Sequence, residues 1–221
     1  MRIALIHALA HSVAPINQAM AQAWPEAVRM NLLDDSLSAD LARTAAAGGE
    51  GLDVAMHQRF EDLCAYAERT GAQGILFTCS AFGPCIEAAA ARRPQMPVLK
   101  PNEAMVADAV ACGQRVGLIA SFAPTLQSMP AEFPAGVELR TALVAQAMTA
   151  LDQGDCEAHD AAVLAAAHTL VAQGCGVIAL AQFSMARAAP LLRRQLPAVV
   201  SVLTTPDSAV AALRRRLVPT A

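Results

Sequence analysis

The chain repeats itself. RIALIHA from Arg2 returns as RVGLIAS from Arg115, and VRMNLLDDSLSADL from Val28 as LRTALVAQAMTALD from Leu139. QGILFTCSAF from Gln73 returns as GVIALAQFSM from Gly176, and VLKPNEAM from Val98 as LTTPDSAV from Leu203. The separations are 113, 111, 103 and 105 residues, so the order is kept and only connection lengths drift. Each match is weak alone; four in order point to two copies of one unit. With 221 residues, each copy has the length of a small domain.

Short apolar runs alternate with longer stretches of helical period. Strands are predicted over 3–6, 28–33, 75–78, 98–99, 116–120, 137–143, 177–180 and 199–203. Helices are predicted over 52–69, where Phe60, Leu63 and Cys64 share a face, and over 158–173, with Val163, Leu164, Leu170 and Val171 apolar. Continuous apolar strands between helices mean parallel sheet covered on both faces. The expected fold is α/β: two pseudo-symmetric lobes, each a four-stranded parallel sheet flanked by helices. The boundaries expected are 1–97 for the first lobe and 98–205 for the second, with a helix over 206–221 packing back on the first. Pro101-Asn102-Glu103 and Pro206-Asp207-Ser208 each place a capping residue after proline.

Composition removes several function classes. Hydrophobic residues make up 55% and aromatics 4%, so the core is aliphatic. The net charge is −3, and the only basic cluster, Arg214 to Arg216, reads as the positive last turn of a helix. Nucleic acid and anionic membrane are therefore not expected partners. No segment approaches the ~18–20 apolar residues of a membrane span. The first residues lack a signal-peptide layout. Six cysteines in such a chain read as reduced thiols of a cytoplasmic protein.

Sheets of this kind bind ligands beyond the carboxyl ends of their strands. Five segments are predicted there: 7–12, 34–35, 79–81, 121–125 and 182–184. With two such lobes, the cleft between them is the expected site. Cys79 stands where a buried strand meets a turn and a helix starting near Pro84. A helix start offers free N–H groups and a positive dipole end, which lowers a thiol's pKa and frees it as base or nucleophile. Those N–H groups and Ser80 can hold a carboxylate or an enediolate. The alternative reading of Cys79 is a small packed core residue. His7 ends the first strand and is a candidate base or orienter. Ser121 and Thr125 are candidates for the same carboxylate, and Gln182 and Ser184 for a carboxylate or carbonyl. His7 and His11 straddle a strand end, so no metal site is expected. No dinucleotide, phosphate-loop or nucleophile-elbow motif is present.

The strand ending in Thr78-Cys79-Ser80, its partner ending in Ala181-Gln182-Phe183-Ser184-Met185-Ala186, and the duplicated order together resemble the cofactor-independent aspartate/glutamate/hydantoin racemase superfamily. That superfamily also holds arylmalonate decarboxylase and maleate isomerase. The resemblance covers nearly the whole chain. It implies two cysteines facing each other across a small carboxylate or dicarboxylate, one removing a proton beside the carboxylate and the other returning it on the opposite face. The first position is Cys79. The second matches Gln182, whose amide has no useful acid or base chemistry near neutral pH. One-thiol chemistry is therefore expected. In the decarboxylase branch one position is likewise not cysteine, though the thiol kept there is the second. Catalysis is thus assigned to Cys79 and His7, the latter standing where glutamate racemases place a carboxylate. Substrate contacts are assigned to Ser80, Ala81, Ser121, Thr125, Gln182 and Ser184. The resemblance implies no cofactor and suggests a homodimer. The rival readings are a non-catalytic carboxylate sensor, and a decarboxylase, lyase or hydrolase using Cys79 covalently.

Overall fold

A computed structural model describes residues 1–49 and 51–218. Glu50 of the GGEG loop and the end of the predicted C-terminal segment, 219–221, lie outside the described residues. The chain forms two compact units, residues 1–101 with 209–221, and residues 102–208.

The first unit runs β1 (Arg2–His7), α1 (Val13–Ala23), β2 (Val28–Leu33), α2 (Ser36–Ala46), α3 (Val54–Arg69), β3 (Gly74–Phe77), α4 (Gly83–Ala91) and β4 (Val98–Leu99). Its sheet has the order β2-β1-β3-β4, all parallel. The second unit runs α5 (Glu103–Ala111), β5 (Val116–Ala120), α6 (Ala123–Ser128), β6 (Leu139–Leu143), α7 (Ala145–Asp152), α8 (Cys156–Ala172), β7 (Val177–Leu180), α9 (Ala189–Gln195) and β8 (Ser201–Thr204), and α10 (Thr205–Leu217) follows. Its sheet has the order β6-β5-β7-β8, again all parallel. The central strands β1, β3, β5 and β7 are buried almost throughout, as sheets covered on both faces require.

The repeat extends to side chains. α3 buries Met56, Phe60, Cys64 and Ala67, and α8 buries His159, Val163, Ala167 and Leu170, each 103 residues on. Both helices are capped by an aspartate: Asp53 accepts from the Met56 N–H at 2.8 Å and Asp155 from the Ala158 N–H at 2.9 Å. Phe60 stacks on Phe77 and packs against Phe82, with centroids 5.1 and 5.0 Å apart. The matching positions are Val163, Leu180 and Met185, all buried. One unit thus builds with aromatics what the other builds with aliphatics.

Register corrects two of the four separations. Ile3 pairs with Arg29 and Val116 with Leu139, which relates β2 to β6 by 110 residues and not 111. Ile75 pairs with Val98 and Ile178 with Val202, which gives 104 and not 105. A one-residue slip would exchange the two faces of a strand. In the corrected frame Leu33 and Leu143 correspond, and they are about equally exposed, 48% and 49%.

Boundaries move slightly. β4 pairs with β3, so the first unit runs on to Pro101, past the predicted break at 97/98. The chain returns to the first unit at Ala209, later than the predicted 206. β6 starts at Leu139 because Val137 closes a turn onto Pro134, and β8 starts at Ser201 because Val200 closes one onto Pro197. The residue capping α10 is Thr204, whose hydroxyl accepts from the Asp207 N–H at 3.2 Å; Asn102 makes no such bond at α5. The rest of α10 packs in the first unit: Arg214 donates to the Ala23 carbonyl and pairs with Glu26. A Cβ on Gly74 would come within 2.8 Å of Leu217, so glycine at the start of β3 admits this helix.

Candidate active site

In the first unit the site is built at the end of β3. The Thr78 N–H makes the last sheet bond, to the Ile6 carbonyl at 3.0 Å. Cys79 stays extended, with φ −127° and ψ 123°, and a 3-10 turn, Ser80–Phe82, leads into α4. Phe82 is buried against Phe60 and anchors that turn. Cys79, Ser80 and Ala81 are half-buried.

Burial pushes the Cys79 thiol pKa up, while a hydrogen bond from the Ala81 N–H and another from the Ser38 hydroxyl pull it down. The lowered pKa expected from a helix start is therefore not realised. The 3-10 turn separates Cys79 from α4, and a helix dipole acts only within its first turn, so desolvation prevails.

Ser38 is the residue that sequence reasoning missed. It lies on α2, whose start is pinned by Arg59: the guanidinium bonds Asp34 at 2.6 Å, Asp40 at 2.7 Å and the Ser36 hydroxyl at 2.5 Å. Burial works against that ion pairing, yet the bonds from Ser36 and Arg59 still hold Asp34 below the usual carboxylate range. No local motif announces Ser38; the contact joins the first turn of α2 to the turn after β3.

His7 is fully buried at the end of β1. Its Nδ1 lies 2.9 Å from the Thr78 hydroxyl and its Nε2 3.0 Å from Asn31 Oδ1. Asn31 Oδ1 also accepts from Asn17 at 2.8 Å, so the assigned amide orientation makes Nε2 the donor and Nδ1 the acceptor from Thr78. Burial lowers the His7 pKa against an opposing effect of the Asn31 bond, so the ring is neutral near pH 7. Both nitrogens are engaged, and the ring's contact with the site passes through Thr78.

In the second unit the same turn is rebuilt around Gln182. Its backbone repeats that of Cys79, with φ −130° and ψ 145°, and a 3-10 turn, Phe183–Ala188, leads into α9. The Ala181 N–H bonds the Ile119 carbonyl at 2.9 Å, as Thr78 bonds Ile6. The Gln182 side chain folds onto the β5–α6 connection. Its Oε1 accepts from the Ser121 N–H at 2.5 Å, the Ser121 hydroxyl at 3.0 Å and the Phe122 N–H at 3.2 Å. Two backbone N–H groups can only donate, which fixes the atom they share as the oxygen. Thr125, 1% exposed, sits in the first turn of α6. Ser184 is 2% exposed, and its hydroxyl has no hydrogen-bond partner among the described residues. A buried hydroxyl in that state is costly and marks a place where a polar contact is wanted.

Each unit therefore gathers its share of the predicted residues at the carboxyl end of its own sheet. The first has Cys79, Ser80, Ala81 and the supporting His7; the second has Ser121, Thr125, Gln182 and Ser184. A cavity of about 440 Å³ in the second unit lies elsewhere, at the amino ends of β5 and β6 around Arg115, Gly136, Val137 and Glu138, and holds none of them. Among the described residues no three His, Cys, Asp or Glu side chains are grouped to hold a metal ion, and no helix is long and apolar enough to cross a membrane.

The family model described as Asp/Glu/Hydantoin racemase matches residues 10–213. No curated protein sequence is significantly similar to the chain. Among solved structures, glutamate racemase from Bacillus anthracis aligns with TM-score 0.73 and 11% identity, over 97% of this chain and 80% of that one. Aspartate racemase from Picrophilus torridus gives 0.70 and 11%, over 97% and 93%. Allantoin racemase from Klebsiella pneumoniae gives 0.66 and 18%, over 98% and 87%. At these identities the likeness is one of fold.

Proposed function

Because this chain belongs to the Asp/Glu/hydantoin racemase family, we propose that it moves a proton at the carbon beside the carboxylate of a small substrate, without a cofactor and with Cys79 as the carrier. The observation that carries this reading is the pair of donors on one sulfur. The Ala81 N–H and the Ser38 hydroxyl both stabilise a thiolate that burial otherwise disfavours. Cys79 therefore rests as a thiol and becomes a thiolate when its proton leaves, which suits a group that gives a proton to carbon and recovers one. Ser80 and the N–H groups of its turn hold the carboxylate and the charge of the enediolate. His7, neutral and held at both nitrogens, fixes Thr78 and so the strand end that carries the thiol. In the second unit Ser121, Thr125, Gln182 and Ser184 offer polar groups at the matching strand ends.

Gln182 also favours a second reading. An amide cannot return a proton, so a decarboxylase or lyase that protonates one face is served by Cys79 alone. One experiment separates the readings. A panel of small chiral 2-substituted acids and of 2-substituted malonates is incubated in deuterated water, with wild-type protein and with Cys79→Ala. Racemase chemistry exchanges the proton of the former; decarboxylation delivers deuterium to one face of the product from the latter. Either activity should fall by ~10²–10⁴-fold in Cys79→Ala, the range for loss of a general acid–base group. Exchange or decarboxylation that persists in Cys79→Ala would refute the role of the thiol.

A further inference from the structure

Two helices at matching places are held in different ways. α2 and α7 follow the edge strands β2 and β6 and start alike: the Leu37 N–H bonds the Asp34 carbonyl at 3.3 Å, and 110 residues on the Ala147 N–H bonds the Val144 carbonyl at 3.0 Å. α7 is held by packing, with Ala147, Ala150 and Leu151 buried. α2 buries Leu37 alone among its described residues. It is held instead by Arg59 of α3, whose guanidinium donates to Asp34 at 2.6 Å, to Asp40 at 2.7 Å and to the Ser36 hydroxyl at 2.5 Å. The positions matching Asp34, Asp40 and Arg59 in the second unit are Val144, Ala150 and Ala162, which can form no such clasp. Ser38 matches Met148, which has no hydroxyl to offer. Clasp and hydroxyl therefore occur together, in the unit that carries the thiol.

We propose that Arg59 is a positioning residue for Cys79: by pinning α2 at three points it holds the Ser38 hydroxyl against the sulfur and so keeps in place a donor that a thiolate needs. The proposal rests on the proposed function only for what that thiolate is used for. Neighbouring residues of α3 hold the two ends of the Ser38–Cys79 bond. Phe60 packs against Phe82 and so fixes the turn that carries the sulfur. Arg59 fixes the helix that carries the donor. Leu37 packs in the same core cluster as Cys79, but a single apolar anchor leaves a helix free to turn about it. A planar guanidinium bonded to two carboxylates and a hydroxyl removes that freedom. Direction matters because a hydrogen bond weakens steeply when misaligned. The influence of Arg59 passes through α2: among the described residues, what acts on the sulfur is burial, the Ala81 N–H and the Ser38 hydroxyl, and no charge.

The test reads the sulfur and needs no substrate. Alkylation of Cys79 by iodoacetamide at pH 8 is followed by site-resolved mass spectrometry in the full-length protein, for wild type, Arg59→Gln, Ser38→Ala and the double variant. Losing one hydrogen bond to the thiolate should cut its population about tenfold. Each remaining thiolate is then about threefold more nucleophilic, so alkylation should slow about threefold in either single variant. The double variant should be no slower than Ser38→Ala, because both substitutions remove the same bond. Arg59→Lys, which keeps the charge but not the fork, should recover part of the rate. An Arg59 that only supports the fold would, when replaced, loosen it and leave alkylation unchanged or faster. Should Arg59→Gln fold poorly, Asp40→Asn removes one end of the clasp and should slow alkylation to a smaller extent, again with no effect in the Ser38→Ala background. Unchanged or faster alkylation in Arg59→Gln and Asp40→Asn, or further slowing by either on top of Ser38→Ala, overturns the proposal. Failure of the proposed function would show separately, as exchange or decarboxylation that persists in Cys79→Ala.

Discussion

Truncating Gln182 should cost more stability than an ordinary surface glutamine does. In Gln182→Ala three hydrogen bonds to Oε1 vanish together, at 2.5, 3.0 and 3.2 Å in the native protein. A neutral hydrogen bond contributes a net ~0.5–1.5 kcal/mol, and a buried donor left alone costs ~1–3 kcal/mol. Ser121 is only 5% exposed, so its N–H is poorly placed to recruit water, whereas Phe122 is half-buried and better placed. Together these give a loss of roughly 2–4 kcal/mol. For a chain of this size, ~1 kcal/mol moves Tm by about 2–4 °C, so a fall of roughly 5–15 °C is expected. Gln182→Glu keeps the acceptor and should melt within a few degrees of wild type. Gln182→Cys would place a thiol at the start of this turn. Its sulfur sits two bonds short of Oε1, so it should lose stability as the alanine variant does. The assay is thermal unfolding followed by circular dichroism. Alanine and glutamate variants that both melt with wild type would show that the strap from β7 to the β5–α6 connection carries no weight.

Cys79 should react slowly with iodoacetamide at pH 7 and accelerate above the ordinary thiol range, because burial raises its pKa; Ser38→Ala should move that profile further up, and fast reaction at neutral pH would contradict the assignment. The fold should weaken in alkali. Burial raises Cys64 from 9.0 to about 12 and Cys85 to about 11, so this stability is intact below pH ~9 and is lost as pH climbs through those values. Cys64→Ala should flatten the denaturation-versus-pH curve there; an unchanged slope would refute the linkage. At the acid end the sign reverses: the His7 pKa is lowered, so the unfolded chain binds a proton first and stability falls as pH drops below ~6.5. A His7→Gln variant, able to accept from Thr78 and donate to Asn31, should lose that part of the acid slope; a full slope in the variant would move the effect elsewhere.

The strands were legible because a buried parallel strand is a short apolar run, and all eight predicted runs form strands. Their order was legible because the chain states it twice. What one copy leaves ambiguous, such as the two-residue run at Val98, the other resolves. Register was not legible to better than one residue in β2 and β4. β2 and β6 are edge strands whose faces are unevenly buried, and β4 is too short for alternation to speak. At the site, the positions of Cys79 and Gln182 could be read, since each follows its strand directly. Their environments could not. The direction of the Cys79 pKa is set by burial, which outweighs the bonds from Ala81 and from Ser38, 41 residues away in sequence. His7 reads as a strand-end base until its two partners, Asn31 on β2 and Thr78 just after β3, are placed.

The two units also show how a duplicated scaffold can diverge in chemistry without diverging in fold. At residues 79 and 182 the backbone angles agree to within about twenty degrees, and the strand bonds before them are the same pair repeated. The backbone therefore does not choose between thiol and amide; the surroundings do. Around Cys79 two donors converge on the sulfur from its own turn and from α2. Around Gln182 two backbone donors and a hydroxyl converge on a point farther from the main chain, within reach of a four-bond side chain and out of reach of a thiol. A functional second thiol consequently needs more than Gln182→Cys. The β5–α6 connection must also find a new acceptor for Ser121 and Phe122, and a compensating change there should recover stability. If Gln182→Cys alone melts with wild type, the donors are satisfied by water, and the amide is a replaceable occupant of that turn.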